Sequence, residues 1–144
     1  MRLFTIGYEQ RKSDEFFEGL KINRIKLLAD IRAIAFSRRK EFSKTALSAK
    51  LAEMGIEYIH LRDLGGPKEL RDKVRADGDY GFFFREYARY LDEQKEALET
   101  LIDLAGRKTA CLLCYEKDVN RCHRRAVAER IRETSPKKFQ LSHL

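Results

Sequence analysis

The sequence predicts an α/β fold: a single domain over residues 1–144, with a mostly parallel sheet of about five strands and helices on both faces. Three observations carry that expectation. Short β-prone runs recur along the chain and are near-continuously apolar, as strands covered on both faces require. Longer stretches with apolar residues three and four apart lie between them, the pattern of amphipathic helices. Strand, helix and strand in that order join parallel neighbours, because a parallel pair needs a crossover.

Taken in order, Leu3-Phe4-Thr5-Ile6 reads as the first strand, and Gly7-Tyr8-Glu9 as the turn at its carboxyl end. Ser13 or Asp14 is expected to cap a helix carrying Phe16, Phe17 and Leu20 on one side. Ile25–Ile31 is the second strand and runs into Asp30-Ile31-Arg32. Two charges there cost too much to bury unpaired, so Asp30 and Arg32 should reach the sheet edge or find partners. A basic loop, Ser37-Arg38-Arg39-Lys40-Glu41, follows, and Ser43 should cap a helix striped by Leu47, Leu51 and Met54 and closed by Gly55. Glu57–Leu61 is the third strand, with a turn at Leu64-Gly65-Gly66-Pro67. From Lys68 to Gly81 charges dominate, and two readings stand, a mobile loop or a short helix. Phe82–Leu104 reads as one helix, with Phe83, Tyr87, Tyr90, Leu91, Leu98, Leu101 and Ile102 in phase and Gly106 at its end. Aromatic residues on that period belong to a core rather than to a stacking surface. Thr109–Cys114 is the fourth strand, Asn120 the expected cap of a helix running to about Glu133, and Lys138–Leu141 a fifth strand.

Composition narrows the function classes. With 43% hydrophobic residues and only two prolines the chain can build a core and is not a disordered segment. Thirty Lys and Arg against twenty-three Asp and Glu give a net charge of +7, which favours an anionic small molecule or nucleic acid as partner. No run approaches membrane-spanning length and the amino terminus does not read as a secretory signal, so a cytoplasmic protein without a membrane partner is expected. Three cysteines, an odd number, fit reduced thiols there.

In parallel sheets ligands bind beyond the carboxyl ends of the strands. That rule puts Gly7-Tyr8-Glu9, Asp30-Ile31-Arg32 and Cys114-Tyr115-Glu116 on one rim. The densest chemistry lies between Cys114 and Arg125, where a strand end and a helix start supply Cys114, Glu116, Cys122, His123 and Arg124. Cys111 and Cys114 have zinc-like spacing, yet residues three apart on a strand face opposite ways, so Cys111 is expected in the core. Cys114, Cys122 and His123 offer three metal donors, but their spacing matches no zinc pattern and no metal is assigned. Cys122, at a helix start among Arg121, Arg124 and Arg125, should be the more acidic thiol. The catalytic candidates are therefore Cys114, Glu116, Cys122, His123 and Asp30, with His123 as proton shuttle and the carboxylates either holding arginines or acting as acid and base. Arg32, Ser37, Arg38 and Arg124 are the anion-binding candidates. A Cys-x5-Arg phosphatase loop is absent, since Asn120 occupies the arginine position counted from Cys114.

Thr5-Ile6-Gly7, Asp30-Ile31-Arg32, Ser37-Arg38, Phe42, Ile56-Glu57-Tyr58, Leu64-Gly65-Gly66, Leu113-Cys114-Tyr115-Glu116, Cys122-His123-Arg124 and His143-Leu144 together resemble the domain-of-unknown-function 488 family. The family pattern has proline shortly after the Asp-x-Arg, where this chain has Ala35. The resemblance implies one α/β domain whose motif residues gather in a pocket, and implies no activity. The leading expectation is an anion or phosphate pocket at the carboxyl ends of the strands, acting on a phosphate-bearing or nucleic-acid-derived substrate, with no cofactor named. A non-catalytic nucleic-acid-binding module and a thiol redox protein using Cys114 and Cys122 are the alternatives.

Overall fold

Five strands, all parallel, form one sheet in the order β3-β2-β4-β1-β5 in the computed structural model, which describes Met1–Leu144. The strands are β1 (Arg2–Gly7), β2 (Leu27–Asp30), β3 (Glu57–His60), β4 (Ala110–Cys114) and β5 (Gln140–His143). Between them run α1 (Ser13–Ile22), α2 (Lys44–Glu53), α3 (Lys68–Asp77), α4 (Tyr80–Asp92), α5 (Lys95–Arg107) and α6 (His123–Thr134). The chain moves towards one sheet edge from β1 to β3, then turns back through β4 to β5. Right-handed crossovers going in opposite directions must lie on opposite faces. Accordingly, Phe16, Leu20, Leu47 and Leu51 from α1 and α2 pack on Phe4, Ile6, Leu28, Cys111 and Leu113. Phe83, Tyr87, Leu98, Leu101, Val127 and Ile131 from α4, α5 and α6 pack on Leu3, Leu27, Ala29, Ala110 and Leu112. Alternate residues of β4 thus serve different cores, and Cys111 is sealed among apolar groups, as expected from the strand period.

Several local expectations are corrected. Ser13 and Asp14 lie inside α1, whose N-cap is Lys12 with no side-chain cap. Ser43 does sit at the N-cap of α2, but its hydroxyl is used elsewhere: it accepts from Ser37 N at 2.9 Å and donates to Ser37 O at 3.1 Å, pinning the basic loop. The stretch after Pro67 is a helix, α3, supported by Lys68–Asp72 and Lys73–Asp77 pairs and ended by Gly78 at φ 67°. The long helix expected from Phe82 is two helices, broken at Glu93-Gln94, where the amides turn back to Tyr90 and Leu91 carbonyls. Leu91 and Leu98, the last and first buried residues on either side, are seven positions apart, about two helical turns, so the apolar phase survives the break and hides it. Gly106 is the penultimate residue of α5, which ends at Arg107, close to the end expected there. At α6 the N-cap is Cys122, not Asn120, which belongs to a 3₁₀ turn over Val119–Arg121. The second, third and fifth strands are shorter or shifted by a few residues.

β4 lies between β1 and β2, with the following helices of its neighbours on one face and its own on the other. Loops after these strands diverge there and leave a crevice at the carboxyl end of the sheet.

Candidate functional site

The crevice is shaped by glycine at two close approaches. A Cβ on Gly7 would overlap the carbonyl of Glu116, and one on Gly65 would overlap the backbone of Ala33. Gly7 therefore lets the loop after β4 cross the end of β1, where Glu9 N also donates to Tyr115 O at 2.9 Å.

At the end of β2 the two charges pair with each other. Asp30 Oδ1 accepts from Arg32 Nε at 2.8 Å and from Arg32 N at 3.1 Å; Oδ2 accepts from Arg32 Nη2 at 2.7 Å and from the Tyr58 hydroxyl at 2.5 Å. Arg32 Nη1 donates to the Tyr8 hydroxyl at 3.2 Å. Burial alone opposes the charge of Arg32, but the Asp30 carboxylate outweighs it and raises the pKa. Tyr58 is pushed up by burial and by the same carboxylate. Asp30, a catalytic candidate from sequence, is fully buried with each oxygen already accepting two hydrogen bonds, so it orients Arg32 and presents nothing to the crevice. Arg32 keeps an N–H free on each terminal nitrogen and does line the crevice. His60 from β3 meets Arg32 O at 2.8 Å and is structural.

At the last residue of β4 the chain places a thiol between two bases. Cys114 Sγ lies 3.1 Å from Glu116 Oε2 and 3.5 Å from His123 Nδ1. His123 Nε2 is 2.7 Å from Ile31 O, and a carbonyl only accepts, so Nε2 carries the proton. In the neutral ring Nδ1 is then an acceptor aimed at the thiol. Tyr87 packs its ring edge-on at 5.4 Å and fixes the imidazole from behind. Burial raises the Cys114 pKa; a hydrogen bond with Cys122 opposes this, Glu116 adds to the rise, and the net direction is upward. Burial lowers that of His123, but Cys122, the Ile31 carbonyl and Glu116 overcome it and the net direction is upward.

Cys122 corrects an expectation. It does cap a helix, its Sγ accepting from Arg124 N at 3.5 Å, but at 1% exposure burial pushes its pKa well above the ordinary thiol value, and Cys114 adds to the rise. Helix dipole and nearby arginines do not offset the lost hydration, so the helix start does not lower this thiol's pKa below the ordinary value. Arg124 is likewise 1% exposed and committed: it donates to Thr5 Oγ1 at 3.1 Å, to Glu116 O, and to Lys117 O at 3.2 Å. It ties the loop after β4 to β1 and does not line the main cavity. The Thr5 hydroxyl, which accepts from Arg124, also hydrogen-bonds with His143 Nδ1 at 2.7 Å.

The cavity holds about 730 Å³. Cys114, Glu116 and His123 form part of its wall together with Tyr8, Ser37 and six arginines: Arg32, Arg38, Arg39, Arg71, Arg75 and Arg121. Ser37 Oγ accepts from Arg39 N at 3.1 Å and so orders the loop. Arg39 reaches the Tyr8 carbonyl at 2.9 Å and stacks over Phe42. Arg38 and Arg75 form no salt bridge. Tyr8 stands on the rim, as expected of the turn after β1, whereas Arg71 and Arg75 from α3 have no place in the expected site. The signal was present: Leu70 and Val74 pack against the core at a spacing of four, and Arg71 and Arg75 follow each of them by one position.

Cys114, Cys122 and His123 bring their donor atoms within 4.8 Å of one another, close enough to hold one metal ion. Two thiols and an imidazole suit zinc or another soft ion, and an Nε2–H given to a backbone carbonyl is the usual outer-shell arrangement of a histidine ligand. All three cysteines are free thiols.

No helix is long and apolar enough to cross a membrane. No curated protein and no solved structure matches the chain. The family described as "Domain of unknown function DUF488" matches residues 12–131, which leaves β1 and β5 outside the match but takes in Asp30, Arg32, Cys114, Glu116, Cys122 and His123. A match over most of the 144 residues, carrying the groups that meet at the crevice, makes this chain a member of the DUF488 family.

Proposed function

We propose that the crevice is the active site of a cytoplasmic enzyme that binds a phosphate-bearing or nucleic-acid-derived substrate through its arginines and attacks it with Cys114. The observation that carries the reading is the thiol itself. It has one proton, two acceptors within 3.5 Å, and an arginine-lined cavity in front of it. Nucleophile, base and orienting group stand in line as Cys114, His123 and the Ile31 carbonyl. Because burial keeps the resting thiol protonated, the proton leaves during the attack and passes to His123 Nδ1. Sulfur then bonds to an electrophilic carbon, the leaving group departs with the bonding electron pair, and the imidazolium returns the proton to it. Phosphate is the handle rather than the reacting centre, since the Cys-x5-Arg loop of cysteine phosphatases is missing.

The test is a titration with pyrophosphate, followed by calorimetry and by alkylation of Cys114 with iodoacetamide. Expected are saturable binding, protection of Cys114 while pyrophosphate is bound, and loss of both in Arg38→Ala with Arg75→Ala. Absence of binding to the wild-type chain at millimolar pyrophosphate would remove the reading.

The donor set at Cys114, Cys122 and His123 favours a second reading, a soft metal centre with an open position towards the cavity. Cobalt(II) would then give thiolate-to-metal charge-transfer absorption that Cys122→Ser weakens. A spectrum identical to that of aqueous cobalt rejects it and leaves the thiol as nucleophile.

A further inference from the structure

The chain exposes five large apolar side chains, and three of them, Ile34, Phe36 and Tyr115, belong to the wall of the arginine cavity. The other two, Met1 and Ile22, lie at the chain terminus and at the last position of α1. Scattered exposed apolar groups need no explanation, but their collection at one cavity does. Phe36 is 70% exposed and takes part in no ring–ring contact within the chain, so it does not serve the fold. Tyr115 presents its edge to Tyr8 at 5.3 Å and is 47% exposed. An occupant that covers these rings and also meets the unpaired guanidiniums must carry an anion and a flat apolar body in one molecule. A lipid tail or an apolar protein face satisfies the first set and leaves Arg38 and Arg75 facing nothing; a free phosphate does the reverse.

We infer that the substrate is a nucleoside phosphate, its base stacked against Phe36 and Tyr115 and its phosphate held by Arg38 and Arg75. This rests on the phosphate-binding reading above and names the substrate class. A cavity of about 730 Å³ suits one nucleotide, either free or at the end of a strand. Base stacking on an aromatic ring is tolerant of sequence, so all four bases bind with similar strength.

The experiment compares ribose 5-phosphate, the four nucleoside monophosphates and a 5′-phosphorylated pentanucleotide by calorimetry at fixed ionic strength. Nucleotides bind about tenfold or more tightly than ribose 5-phosphate, and Phe36→Ala removes that advantage while ribose 5-phosphate affinity stays unchanged. Because Phe36 is exposed, the variant folds as the parent does, which its thermal midpoint verifies. Binding by the monophosphates identifies a free nucleotide as the source; binding by the pentanucleotide alone identifies a strand end, and either result supports the inference. If ribose 5-phosphate matches every nucleotide and oligonucleotide, the base subsite is wrong and the phosphate site stands. If no phosphate compound binds, both readings fall together.

Discussion

Arg32 and Arg38 both follow β2, and both are anion-binding candidates from sequence. Arg32 is buried, gives three side-chain N–H groups to Asp30 and Tyr8, and owes its position to them. Arg38 is exposed on the cavity lip and pairs with no acid. The same division separates Arg124, sealed beneath the loop after β4, from Arg75 on α3. One set of arginines builds the crevice and the other faces into it. What decides between them is whether the chain itself supplies acceptors, some close in sequence, such as Asp30 for Arg32, and others as far as 119 positions away, such as Thr5 for Arg124.

The comparison breaks first at Asp30. Asp30→Ala leaves a guanidinium buried without its counter-charge, and truncating one member of such a pair costs about 3–5 kcal/mol. Urea denaturation should show that loss. A change below about 1 kcal/mol would mean that Arg32 swings into the cavity and belongs with Arg38 instead.

Arg124→Met comes next, because it keeps the volume and removes the donors. The carbonyls of Glu116 and Lys117 and the Thr5 hydroxyl lose a partner, for a combined cost of about 1–3 kcal/mol because only the Thr5 end is fully buried, and less if the loop opens to water. Faster amide exchange at Glu9, whose N–H bonds to Tyr115 O, distinguishes the second outcome from the first.

A smaller effect separates the thiols. Cys111 is fully buried in the α1–α2 core, and burial raises its pKa. An acid whose folded pKa is raised favours folding while protonated, and that contribution disappears as pH climbs above the unfolded value near 8.5. The folded chain should therefore lose roughly 1 kcal/mol for this thiol between about pH 8.5 and 9.5, and Cys111→Ala should flatten the stability–pH curve by that amount. An unchanged slope would show that Cys111 ionises in place. Iodoacetamide should meanwhile modify Cys114, on the cavity wall, and leave Cys111 untouched.

Much of the fold was legible because near-continuous apolar runs such as Leu27–Asp30 and Ala110–Cys114 can only be doubly covered strands, and strands in that series order their own crossovers. The strand ends then located Arg32, Cys114 and Glu116 without any knowledge of packing. Three things were not legible. The break between α4 and α5 keeps the apolar phase, so periodicity cannot see it. The helix α3 has no fully buried residue, so its weak stripe of Leu70 and Val74 was outweighed by charge, and Arg71 and Arg75 were lost with it. The thiol of Cys122 was judged by its neighbours in sequence, whereas its pKa is set by how little water reaches it.

The smallest expected effect on stability is the most useful one. Arg38→Ala and Arg75→Ala remove two exposed side chains that hold nothing in the chain, and such changes fall within about 0.5 kcal/mol. Removing two of several positive charges from one lip should even relieve some repulsion. A double variant with an unchanged urea midpoint and abolished pyrophosphate binding is the outcome that assigns these residues to a ligand rather than to the fold. If the unfolding free energy falls by more than about 1 kcal/mol, the lip arginines are structural after all, and the distinction between Arg32 and Arg38 disappears.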